Sequence, residues 1–104
     1  MIIQINSDNN ISGNERLSAY LEKIISESLN RFDNQITRIE VYLADENGAK
    51  TGEDDKRCVL EARLEGMKPF AVTNHGNTIE NAVKGAIDKL KSSLDTTLGR
   101  LKNY

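Results

Sequence analysis

Apolar and polar residues alternate from the first position, Met-Ile-Ile-Gln-Ile-Asn, with Ile3 and Ile5 set against Gln4 and Asn6. A period of two sends successive side chains to opposite faces, so this segment predicts a half-buried strand. In the turn-rich stretch that follows, Ser12 stands three residues before Glu15. That is the spacing of a capping box, in which each side chain satisfies the other's free backbone N–H, and a helix is expected to start there. Leu17, Tyr20, Leu21, Ile24, Ile25, Leu29 and Phe32 then recur with the helical period, which assigns Tyr20 to the core along with the aliphatic residues. Asp33 and Asn34 favour turns and should end the helix.

The period returns to two over residues 35–43, where Ile39, Val41 and Leu43 alternate with Arg38, Glu40 and Tyr42. After a charged, glycine-containing connection from Ala44 to Lys56 it resumes with Cys58, Leu60, Ala62 and Leu64 on one side and Arg57, Val59, Glu61, Arg63 and Glu65 on the other. Gly66-Met67-Lys68 makes a tight turn into a last strand with Phe70 and Val72 inward; Pro69 is tolerated at its start because the first residue of a strand can forgo a ladder hydrogen bond. Asn77, with Glu80 three residues on, offers the cap of a final helix. Ile79, Val83, Ala86, Ile87, Leu90, Leu94, Leu98 and Leu101 form one stripe, so that helix should run almost to Lys102. Gly85 and Gly99 each weaken it by roughly 1 kcal/mol relative to Ala.

The predicted order is therefore β-α-β-β-β-α. An antiparallel-rich sheet with one apolar face and two amphipathic helices is satisfied when both helices cover the same face, an α+β two-layer sandwich. Arg38, Glu40, Tyr42, Arg57, Val59, Glu61, Arg63, Glu65, Thr73 and His75 would then occupy the uncovered face, with charges of both signs suited to cross-strand pairing.

Length and composition narrow the function. At 104 residues, with 38% hydrophobic and 29% charged residues, the chain suits one folded domain, residues 1–104. No apolar run approaches the roughly 20 residues of a membrane span, and the N-terminus lacks the features of a signal peptide, so no membrane is expected and the cytoplasm is the default location. A single cysteine, Cys58, and a single histidine, His75, leave neither an internal disulfide nor the usual metal constellations. A Cys58–His75 pair is conceivable, but a lone cysteine in an alternating apolar run reads as core filling. No cofactor, metal, small-molecule substrate or enzymatic activity is expected.

The net charge of −2 is unevenly spread. Between Asp45 and Lys56 five acids face two bases, a local −3, so the remainder of the chain carries +1. On the last helix, Lys84, Lys91 and Lys102 fall on nearly one flank of the apolar stripe and Lys89 and Arg100 on the other, at about 100° per residue. Two readings stay open for these cations. They could neutralise nucleic-acid phosphates, with Lys23 and Arg31 of the first helix as weaker contributors; or they could be a solvated face whose stems cover the core edge, with Lys84–Asp88 and Lys91–Asp95 as weak i,i+4 pairs. Tyr42 on the outer sheet face could stack on a base, although plain surface is the simpler reading, and His75, close to the last helix, could accept a free N–H there.

Two segments together, "LNRFDNQITRIEVYL" and "NTIENAVKGAIDKLKSSL", resemble the ribosome hibernation-promoting factor family, also called ribosome-associated inhibitors or sigma-54 modulation proteins. The likeness runs over essentially the whole chain. It implies a fold related to double-stranded-RNA-binding domains. It also implies binding to the small ribosomal subunit, through rRNA and ribosomal proteins, in the groove where mRNA and tRNA otherwise sit, so that idle ribosomes are held inactive under stress. Ending after the last helix, the sequence resembles the short form without the additional dimerisation domain. It departs from the family pattern in the Ser and Thr residues among the charges of the last helix and in the acidic "GEDD" of the loop. The alternative function is a protein-interaction or self-association module on the same fold, a weak homodimer through the outer sheet face without rRNA binding.

Overall fold

In a computed structural model, residues 1–7, 15–45 and 56–102 are described, with the backbone alone for 100–102. Strand β1 (Ile2–Ser7) lies parallel to β2 (Ile36–Asp45), with Ile3 opposite Ile39 and Ile5 opposite Val41. Parallel neighbours need a crossover, which helix α1 (Glu15–Ser28) supplies. Ser12, the first residue of the expected capping box, lies outside the described residues.

Helix α1 stops earlier than its apolar stripe suggests. Leu29 N–H still donates to the Ile25 carbonyl, but Asn30–Phe32 tightens into one 3₁₀ turn, with Phe32 N–H on the Leu29 carbonyl. Leu29 and Phe32 stay in the core all the same.

Strands β2, β3 (Lys56–Leu64) and β4 (Phe70–Gly76) pair antiparallel in the order β1-β2-β3-β4. The β2–β3 register slips between Ile36 and Arg38, where Thr37 is the extra residue and its hydroxyl donates to the Arg63 carbonyl at 3.0 Å. Such a bulge changes which face the strand presents. It lets Ile36, out of phase with Ile39, Val41 and Leu43, join them in the core. Gly66 makes the β3–β4 turn at φ +76°, a left-handed conformation that glycine adopts without a Cβ penalty.

Helix α2 (Ile79–Lys102) returns across β3 and β4. Its cap is Thr78, one residue later than Asn77: the Thr78 hydroxyl accepts the Asn81 N–H at 3.0 Å, while Asn77 Oδ1 accepts from the Asn81 side chain. Both helices bury their stripes on one sheet face, with Leu21 and Ile25 from α1 and Val83, Ala86, Leu90 and Leu94 from α2 in a single core with Val41, Cys58 and Leu60. Truncating one such residue, Leu90→Ala, would cost about 2–5 kcal/mol. Gly85 faces β4: a Cβ there would fall on the side-chain amide of Asn74, which itself donates to the Ala82 carbonyl at 3.2 Å.

Candidate nucleic-acid interface

The cations singled out in the sequence lie on the helical side of the molecule, and the structure separates them by what they touch. Lys84 is exposed and donates to Glu80 Oε1 at 2.9 Å, one turn earlier on α2. Glu80 also accepts from the Tyr20 hydroxyl of α1 at 2.8 Å. The shared carboxylate couples the three groups. Hydrogen bonds from Lys84 and Tyr20 lower the Glu80 pKa, and the bond to Glu80 raises those of Lys84 and Tyr20. Tyr20 is thus not a core residue; at 45% exposure its ring bridges the helices and its hydroxyl stays at the surface.

A second bridge lies further along. Arg31 donates to Asp95 Oδ2 at 2.8 Å while its guanidinium covers the Phe32 ring, 4.3 Å from the centroid. The expected helical pairs are therefore replaced: Lys84 takes Glu80 rather than Asp88, and Asp95 takes Arg31 rather than Lys91. The reason for the first is orientation, since an acid N-terminal to a lysine at this spacing is the better arrangement. The second follows from the tertiary placement of Arg31 beside α2.

Lys91 lies between the two bridges in sequence and keeps a half-buried stem; it makes no hydrogen bond or ion pair among the described residues. The same holds for the exposed Lys23. Lys89 belongs elsewhere: its ammonium donates to the Thr73 carbonyl of β4 at 2.8 Å, beside a shallow groove lined by Val72, Asp88, Ser92 and Ser93. A lysine on the carbonyl of an edge strand also discourages pairing with another chain. Arg100 and Lys102 are in the last turns of α2, and their side chains lie outside the described residues. The helical face thus carries cations mixed with acids, and a phosphate docking there would displace Glu80 or Asp95 from its partner.

The Cys58–His75 pair that the sequence allowed is not assembled. Cys58 points into the core and burial pushes its thiol up to about 12, so it stays protonated at neutral pH. His75 is opposite Arg57, on the other sheet face from Cys58, so the two do not meet. Among the described residues no group of three His, Cys, Asp or Glu could hold a metal, and no helix is long and apolar enough to cross a membrane.

Comparison with known proteins agrees with this architecture. The model of the family described as sigma 54 modulation protein / S30EA ribosomal protein matches residues 3–102. The chain belongs to that family. Two solved structures share its fold: a ribosomal subunit interface protein from Coxiella burnetii, with a TM-score of 0.75 at 17% identity over 95% of this chain and 99% of that one, and the N-terminal domain of Protein Y from Thermus thermophilus, with a TM-score of 0.71 at 18% identity over 93% and 99%. No curated protein matches the sequence.

The sequence alone located Lys84, Lys91 and Lys89 on two flanks of one helix but missed Tyr20, Glu80 and Asp95 as the groups that engage its neighbours. The Glu80–Lys84 spacing was visible; the contacts of Tyr20 and Arg31 span 60 and 64 residues and have no local signature.

Proposed function

We infer that this protein is a non-enzymatic factor of the cytoplasm that binds the small ribosomal subunit in the mRNA/tRNA groove and holds idle ribosomes inactive. The observation that carries the reading is membership of the sigma 54 modulation/S30EA family across residues 3–102. The shared fold with a ribosomal subunit interface protein supports it.

The mechanism is steric. The packed sandwich keeps its shape through its buried faces, and the helical side meets rRNA phosphates through Lys84, Lys91 and Lys102, then Lys89 and Arg100, with Lys23 and Arg31 contributing less. Phosphate neutralisation dominates such binding and scales with the number of contacts. Because Lys84 and Arg31 already have carboxylate partners, affinity for RNA in general is low and a preformed groove is required.

The test is co-sedimentation of the Lys84→Glu, Lys91→Glu, Lys102→Glu variant with small ribosomal subunits. Loss of co-sedimentation with an unchanged melting profile is expected; unchanged co-sedimentation would rule out that flank.

A further inference from the structure

Both helices lie on one face of the sheet, and among the described residues nothing covers the other. Side chains there stand in bands across β2 and β3. Arg38 is opposite Arg63, Glu40 opposite Glu61, Tyr42 opposite Val59, and Ala44 opposite Arg57, which is in turn opposite His75 on β4. Like charges directly opposite each other are unfavourable. Here they are offset along each strand, by Arg38 Nε to Glu40 at 2.8 Å and Arg63 Nε to Glu61 at 3.3 Å, with Asn6 adding a hydrogen bond to Glu40 at 3.1 Å. The face thus reads, along the strands, as a positive band, a negative band, an uncharged band with Tyr42 44% exposed, and a second positive band. Successive bands are about 7 Å apart.

We propose that this face pairs with the same face of a second copy, independently of any ribosome contact. The order of the bands selects the symmetry. A two-fold axis along the strands would lay arginine on arginine and glutamate on glutamate. An axis running across the strands at the level of Tyr42 reverses the bands: Tyr42 meets Tyr42, Val59 meets Val59, and Glu61 of each copy faces Arg57 of the other. Every contact then occurs twice, as an isologous interface requires. The central negative band works against an RNA occupant, whose phosphates it would repel.

Four strands about 4.8 Å apart over the three bands that overlap, from Glu61 to Arg57, cover on the order of 400 Å² per copy. Burying about twice that in total falls short of the roughly 1,200 Å² of stable complexes. The pairing is therefore weak and concentration-dependent.

Sedimentation equilibrium of the full chain, from micromolar to millimolar, tests it with two single variants. The wild type should rise toward twice the monomer mass, Glu61→Arg and Arg57→Glu should each remain monomeric, and an equimolar mixture of the two should associate again. In that mixture both crossing pairs are once more of opposite charge, and recovery also shows that neither variant is misfolded. A wild type that stays monomeric throughout, or self-association that the single reversals leave unchanged, would overturn the proposal. So would single variants that fail to recover on mixing, or salt-sensitive capture of a single-stranded oligonucleotide that Arg57→Glu abolishes while the mass stays monomeric.

Discussion

The Tyr20 hydroxyl of α1 donates to Glu80 of α2 across 2.8 Å, and the same carboxylate holds Lys84. A cation proposed to meet rRNA is thus occupied before any ribosome arrives. Replacing Glu80 by Gln removes the negative charge that competes with phosphate. Glu80→Gln is expected to tighten binding to small subunits at a given salt and to steepen the logarithmic salt dependence by about one unit, the contribution of about one freed cation. Because the pair is exposed and screened, stability should barely change. Binding isotherms at several salt concentrations check both.

Gly85 and Asn74 form a pair in which a side chain added at the glycine lands on the asparagine. An alanine at position 85 gains about 1 kcal/mol of helix propensity, but its Cβ falls on the Asn74 amide, which must move and give up its bond to the Ala82 carbonyl. Loss of that bond and the displaced side chain cost about 1–3 kcal/mol. Gly85→Ala is expected to be destabilising by about 1 kcal/mol, and the Gly85→Ala, Asn74→Ala double variant to be more stable than Gly85→Ala. Urea unfolding of the three proteins measures it.

The Arg38 guanidinium, with help from the Asn6 amide, lowers the Glu40 pKa. A carboxylate depressed in the folded state contributes stability that is fully present above the unfolded value near ~4.3 and is lost as pH falls through the lower folded value. Thermal midpoints measured down through that window should fall for the wild type and fall less steeply for Glu40→Gln.

Burial of Cys58, with its pKa pushed up to about 12, makes the thiol unreactive in the native state. Alkylation at neutral pH should be slow until denaturant opens the sheet, and its rate should follow the unfolded fraction. Rapid labelling of the native protein would contradict its placement between the strands and the helices.

Much of the fold could be read from periodicity. Alternation in residues 35–43 and 57–64 and the stripe from Ile79 onward define which faces are buried, and the shared core leaves one arrangement of helices on the sheet. What periodicity missed was local geometry set by tertiary contact. The bulge at Thr37 rescues Ile36 from the wrong face. Thr78 caps α2 in place of Asn77 because its hydroxyl is the one that accepts the Asn81 N–H. Tyr20 has core spacing yet ends at the surface because its hydroxyl finds a charged acceptor on α2. Gly85 looks like a weakness until the approach of Asn74 is known. The candidate interface was legible as a set of cations, not as one in which Lys84 and Arg31 are already engaged by acids.

Co-sedimentation of the wild-type protein with purified small ribosomal subunits across a salt titration tests the central claim most directly. Saturable binding that weakens on a log–log salt plot with a slope of about −4, as roughly five phosphate contacts require, is the expected result. Absence of saturable binding at low salt would contradict it and leave the cations of α2 as a solvated helix face.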